Sequence, residues 1–207
     1  MTTRSQQHRR EQAAVARERL LDAAEVRFGR DGYRATSLRD VAEACGISVG
    51  ALYLHLSGKE ELLRAVIDRR SVVLLARIAS FAEEDGPGID RLTGLAHAEI
   101  EFYRHHPDFG RIIGRLFPAG QSLVPQLSAD LAEGYRGVLH LQAEIIRQGQ
   151  RDGTIRAGDP VSLARLLVAM VGAYRADESE RGESAAAGEG LSDTIFIDMV
   201  RRAFAAV

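Results

Sequence analysis

Nowhere in its 207 residues does this chain alternate apolar and polar side chains over the length of a strand, although valine and leucine are plentiful. A half-buried strand needs that period of two, whereas an amphipathic helix needs 3.6. The chain instead spaces its apolar residues by three and four and interrupts them with helix-ending and helix-starting signals. This pattern predicts an all-α fold of about nine helices. Hydrophobic residues make up 45% of the chain and charged residues 27%, enough for a sizeable core under an ordinary polar surface. No run of 18 apolar residues occurs, so no membrane contact is expected. Met1 to Arg10 is polar and basic, without the apolar stretch of a signal peptide, which predicts a cytoplasmic protein. The single cysteine, Cys45, excludes an intrachain disulfide and any cysteine-based metal pattern.

Punctuation places the elements. A first helix over 11–30 carries Leu20, Leu21, Ala24 and Phe28 on one face and stops at Asp31-Gly32. Ser37 with Asp40 forms a capping box for a helix over 37–44, and Ser48 caps a short one over 48–55. Ser57 with Glu60 reads as a second capping box, opening a long helix from Lys59 to about Glu83. Asp85-Gly86-Pro87-Gly88 breaks the chain. A fifth helix over 89–105 ends before Pro107, and a short sixth lies near 108–116. Pro125 suits the first position of a seventh helix that runs to about Gln150. Asp159-Pro160 opens an eighth, to about Ala176, and a ninth covers 192–206. Glu178 through Gly190, rich in Glu, Ser, Gly and Ala, reads as a loop.

The second and third helices, joined by a turn at Gly46, make a helix-turn-helix. Leu38, Val41, Leu52 and Leu56 are expected to turn inward onto the first helix, with Ala42 and Ile47 at the helix crossing. What remains outside on the third helix is small: Ser48, Val49, Gly50 and Ala51, followed by Tyr53 and Leu54. Small side chains let a helix backbone sit deep in a major groove. Thr36, Ser37, Arg39, Ser48, Val49, Gly50, Ala51, Tyr53, His55 and Lys59 are therefore the candidate DNA-binding residues. Ser48 suits a base edge or a phosphate, Val49 and Ala51 suit thymine methyls, and Tyr53, His55 and Lys59 suit phosphates. Backbone N–H groups at the start of the fourth helix offer one more phosphate site. Residues 1–58 carry nine Arg against seven acids and residues 59–207 eighteen Lys or Arg against twenty-two, a basic head on an acidic body. For the basic arm 1–10, with Arg4, His8, Arg9 and Arg10, a minor-groove contact and a solvated tail are both open readings. The same holds for Arg39, between backbone contact and solvent.

The run from Thr36 to Leu62 closely resembles the DNA-binding segment of tetracycline-repressor (TetR-type) regulators. The matching residues are Val41-Ala42, Ala44-Cys45-Gly46-Ile47-Ser48, Leu52-Tyr53, His55, Lys59-Glu60 and Leu62. Leu56 departs, standing where that family usually has Phe. The close resemblance covers about residues 15–65; beyond it the likeness is architectural. It implies a homodimer on a palindromic double-stranded DNA operator, acting as a repressor and released by a small molecule. The domain division expected is an arm over 1–10, a helix-turn-helix domain over 11–58, and a ligand-binding and dimerisation domain over 59–207.

In the body, the apolar arc of the fifth helix includes Glu99, with His106 near its edge, and Gln142 sits mid-face on the seventh. A buried polar side chain without a partner costs about 1–3 kcal/mol, so each needs a mate. Glu99, Tyr103, His106, Phe109, Phe117, Tyr135 and Gln142 are the candidate lining of a pocket for a largely apolar effector. An ordinary core with an internal hydrogen bond is the competing account of each residue. His97, Glu101 and His105 share a face at metal-ligand spacing, but that face points to water, and no metal is expected. The eighth helix is apolar nearly all round. Leu163, Leu167, Met170 and Tyr174 on it, with Ile195, Phe196, Met199 and Phe204 on the ninth, are the candidate dimer interface. Internal packing of both helices is the alternative.

No phosphate-cradling glycine loop, nucleophile elbow or metal signature is present, so neither an enzyme nor a cofactor is expected. The reading is a ligand-responsive DNA-binding regulator. The alternative is a helical partner-binding module that keeps the corner without binding DNA.

Overall fold

In a computed structural model, the described residues are 4–54, 56–117, 129–182 and 191–206; at 4, 5, 9, 10 and 179–182 they are described for the backbone alone. Nine helices lie among them: α1 (Arg4–Asp31), α2 (Leu38–Ala44), α3 (Val49–Tyr53), α4 (Lys59–Glu83), α5 (Gly88–His105), α6 (Pro107–Leu116), α7 (Ala129–Arg151), α8 (Pro160–Gly182) and α9 (Asp193–Phe204). None is long and apolar enough to cross a membrane. The only extended pairing among the described residues is an isolated bridge between Ile155 and Ala205.

The chain divides into two compact units. The first holds residues 1–70 together with 107–112. Leu20, Leu21, Ala24 and Phe28 of α1 are buried with Val41, Ala42, Leu52 and Leu56, as helical spacing predicts. The first three turns of α4 belong here too, because Leu62, Leu63 and Val66 bury their side chains. Buried Glu25 of α1 adds a charged lock. It accepts hydrogen bonds from Arg69 and from Arg70 Nε, the latter at 3.0 Å, and Arg69 also donates to Asp22 at 2.7 Å. The head therefore extends past residue 58, and the division falls inside α4, after Arg70.

The second unit holds residues 71–106 and 113–207. Here α5 packs against α7, α8 and α9, and α7 against α8. The start of α5 and the end of α7 approach at backbone distance: a Cβ built on Gly88 would stand 2.2 Å from Gly149 Cα. Arg104 of α5 gathers Glu101, Glu178 of α8 and Asp193 of α9. That contact explains one departure from the sequence reading. α8 continues helically through Gly182, where composition suggested a loop from Glu178. α1 likewise begins at Arg4, so the arm is helical from there, although the side chains of Arg4, Arg9 and Arg10 lie outside the described residues. Pro125 also lies outside them, and α7 is described from Ala129.

Candidate functional site

The helix-turn-helix is built from two serine caps and one glycine. Ser37 caps α2: its backbone N–H donates to Asp40 Oδ2 at 2.7 Å, and its Oγ accepts from the Asp40 N–H at 3.2 Å. The Ser37 hydroxyl also donates to Asp40 Oδ2 at 2.7 Å, and this bond, with that from the Ser37 N–H, holds the Asp40 carboxyl below the usual carboxylate range. Gly46 takes φ +67°, a backbone conformation that side-chain-bearing residues avoid, and so turns the chain between α2 and α3. Ser48 caps α3, its Oγ accepting from the Ala51 N–H at 3.1 Å. Leu52 is buried, and the opposite side of α3 shows Gly50 and Tyr53, the latter 55% exposed. A side chain built on Gly50 would meet nothing nearer than Ser48 Oγ at 3.9 Å. The outer face of α3 is thus open at Gly50, where its own packing does not require a glycine.

Several head residues are placed differently from the sequence reading. Thr36 is buried, and its hydroxyl donates to the carbonyls of Gly32 at 2.9 Å and Arg27 at 3.2 Å, so its side chain closes the α1–α2 turn instead of facing DNA. Lys59 Nζ donates to the Thr36 carbonyl at 2.8 Å and lies 4.4 Å from the Tyr33 ring centroid, bracing the same turn. Ser57 pairs with Glu61, one residue later than expected, and its N–H is thereby occupied. Ile47 is 37% exposed and Leu38 partly so, leaving Ala42 to fill the helix crossing. Ser37, Arg39 and Ser48 are exposed, and Val49 and Ala51 are half-buried. His55 lies outside the described residues.

In the second unit, two of the proposed pocket residues meet directly. Gln142 Nε2 donates to Glu99 Oε1 at 2.6 Å, with Gln142 fully buried and Glu99 4% exposed. Each supplies the mate that the other needs, but Gln142 Oε1 has no hydrogen-bond partner among the described residues. Burial pushes the Glu99 carboxyl up to about 7, against the opposing effects of the Gln142 hydrogen bond and the Arg175 charge. Arg175 of α8 lies with its guanidinium carbon 3.4 Å from the Tyr103 ring centroid. Burial also raises the Tyr103 hydroxyl above its ordinary value. Phe102 packs edge-on against both Tyr103 and His106, with centroids 5.5 and 4.8 Å apart. Phe117 stacks on Tyr135 at 4.3 Å. Phe109 is buried and belongs to the first unit. A surface groove lined by Gln150, Ile155, Arg156 and Ala206 lies elsewhere, at the pairing of residues 154–156 with 204–206.

Residues 20–66, the span from the buried face of α1 through the helix-turn-helix to the first turns of α4, match the model of "Bacterial regulatory proteins, tetR family". The likeness to that family is carried by these head residues. Over 90 residues the chain is 36% identical to the HTH-type transcriptional repressor KstR2 of Mycobacterium tuberculosis (strain ATCC 25618 / H37Rv), covering 44% of this chain and 45% of that protein. The chain thus spans about half the length of the curated relative that it matches. The HTH-type transcriptional regulator UidR of Escherichia coli (strain K12) is 27% identical over 169 residues, 80% of this chain and 83% of that one. The fold is shared with the solved structure of the ketosteroid transcriptional regulator KstR2 of Mycobacterium tuberculosis: TM-score 0.71, 23% identity, 92% of this chain and 95% of that one. It is shared equally with AibR, solved in complex with isovaleryl coenzyme A and operator DNA: TM-score 0.69, 20% identity, 90% of this chain and 96% of that one.

The eight residues proposed for a dimer face differ in burial. Leu167, Tyr174, Phe196 and Phe204 are buried within the subunit, with Tyr174 stacked on Phe196 at 4.3 Å and its hydroxyl donating to Asp193. They are core, because their faces of α8 and α9 turn to α5 and to each other. Ile195 (52%) and Met199 (48%) stay exposed, as does Leu166 (47%), which the sequence reading omitted; Leu163 and Met170 are half-buried. Arg175 was also missed. Its signal was present: it continues the buried stripe Ala164, Leu167, Val171 by one further step of four, a charge inside an apolar arc.

Proposed function

We propose that this chain is a homodimeric transcriptional repressor that acts in the cytoplasm by binding rather than by catalysis. Each subunit lays α3 into a major groove of a palindromic operator, and a small molecule held at the Glu99–Gln142 cluster releases the DNA. The observation that carries this reading is the open position at Gly50 on the outer face of α3, clear to 3.9 Å in a helix that gains nothing from a glycine. Ser48, Val49, Ala51 and Tyr53 flank it for base and phosphate contact, and Arg39 supplies a nearby charge. A two-fold dimer through Leu166, Ile195 and Met199 matches two such heads to two half-sites. The repressor KstR2, and the protein AibR of the same fold solved with isovaleryl coenzyme A and operator DNA, support the same reading.

Release requires that the effector bind one arrangement of the protein better than the other, since it shifts the equilibrium only by that difference. α4 and α6 are each continuous helices with residues in both compact units, so they are the elements able to carry such a shift. The test is fluorescence anisotropy on DNA upstream of the protein's own gene, or on a site selected from random DNA. Specific binding by the wild type, lost in Gly50→Leu/Tyr53→Ala with the fold intact, supports the repressor. No selectable site at all would hand the chain to the partner-binding alternative.

A further inference from the structure

We infer that the effector carries an anionic oxygen head, a carboxylate or a phosphate, that is received by Arg175. The inference rests on the reading of the Glu99 cluster as the effector site and gives that site a chemistry. Arg175 brings a planar cation with five N–H donors into a partly buried setting. Its contact there is the face of Tyr103, which attracts the charge but accepts no directed hydrogen bond from the fork. No carboxylate among the described residues lies within ion-pairing distance of it. Six other arginines of the second unit, Arg91, Arg104, Arg147, Arg151, Arg201 and Arg202, each hold a side-chain acceptor, whereas Arg77, Arg136 and Arg165 are exposed to solvent. Glu99 and Glu178, the acids whose charges Arg175 feels, are instead tied to Gln142 and to Arg104.

A second, independent observation points to the same place. Gln142 is fully buried, and its Oε1 is an acceptor without a donor. A cation with unused donors and a buried, unused acceptor in one cluster are what a ligand bearing both an anion and an N–H or O–H would complete. The side chains around them, Phe102, Phe117 and Tyr135, supply apolar surface for the rest of such a molecule. A guanidinium fork matches the two oxygens of a carboxylate, or two of a phosphate, in a way that a neutral amide cannot reproduce.

The experiment uses the full chain without added effector. Octanoate, decanoate and 4-phenylbutyrate are compared with octyl phosphate and with the neutral octanamide and octanol. Thermal shift and release of labelled operator are the two readouts. At least one anion is expected to raise Tm and release DNA, with its neutral counterpart at least about tenfold weaker. Arg175→Gln is expected to weaken the anion about tenfold or more and leave the neutral compounds unchanged. Should Arg175→Gln melt early, Arg175→Lys, which keeps a cation but loses the fork, carries the same comparison with the same direction. Preference for octyl phosphate would identify a phosphate head, and preference for the acids a carboxylate; either supports Arg175 as the receptor. Equal binding of acid and amide, unchanged anion affinity in the variant, or no response to any anion overturns the inference. Operator binding without ligand is measured first, so a chain that binds DNA but ignores anions refutes this inference and leaves the repressor reading standing.

Discussion

At position 50, a glycine inside a short helix costs the fold about 1 kcal/mol relative to alanine, and no neighbour within 3.9 Å asks for it. Gly50→Leu should therefore leave thermal stability unchanged or raise it while abolishing operator binding, because the added side chain stands where the groove must approach. A melt and an anisotropy titration on the same preparation check both halves; retained DNA binding would remove α3 from the interface. Glu99 gives a second test at this scale. Its folded pKa, about 7, lies above the ordinary carboxyl value of 4.5, so the folded state holds the proton more tightly than the unfolded chain. The sign follows from linkage: stability contributed by this group is full below about pH 4.5 and declines as pH rises to about 7, by up to about 3 kcal/mol. Urea unfolding between pH 4.5 and 8 should show that decline in the wild type and a shallower one in Glu99→Gln. The motif residues of the head were legible from spacing alone, since caps and turns are local. Thr36 and Lys59 were not, because their partners, the Gly32, Arg27 and Thr36 carbonyls, are backbone groups that any sequence would supply.

Among elements, α5 and α7 show how closely two helices are held in the second unit. Gly88 and Gly149 face each other with no room for a methyl group, and Gly149 also meets the Ile155 side chain. Gly88→Ala should destabilise the protein by about 2–3 kcal/mol, since backbone rather than a flexible side chain must give way. Chemical denaturation measures this, and an unchanged midpoint would mean that the helices separate at no cost. The limits of α5 and α6 followed closely from Pro87-Gly88 and Pro107. The end of α8 did not, because Arg104 on a different helix engages Glu178 and Asp193, and that contact adds to what local composition disfavours. Asp193 is accordingly held down at about 2.

For the whole molecule, two properties separate a dimeric DNA-binding regulator from a solitary helical module. Leu166→Glu/Met199→Glu places two charges on side chains that the subunit itself leaves exposed, so folding should survive while light scattering reports a monomer. Operator affinity should fall with it, since two half-sites then bind one head at a time. A double variant that stays dimeric would move the interface off this face of α8 and α9. The wild type should also lose operator affinity steeply as salt rises, through counterion release from the phosphates. A flat salt dependence would favour a protein partner over DNA.

The amino-acid order alone determined the helical class, the helix-turn-helix and its caps, and the pairing need of Glu99 and Gln142, because periodicity, capping and the cost of an unmet buried polar group act locally or by simple count. Tertiary structure decided what periodicity leaves degenerate. α8 is apolar nearly all round, so its sequence does not say that Leu167 and Tyr174 turn to the core while Leu166 faces outward. Nor does it say that Arg175 comes to rest on Tyr103, seventy-two residues away in the chain. Both depend on where α5 and α9 pack, and packing is a property of the assembled helices.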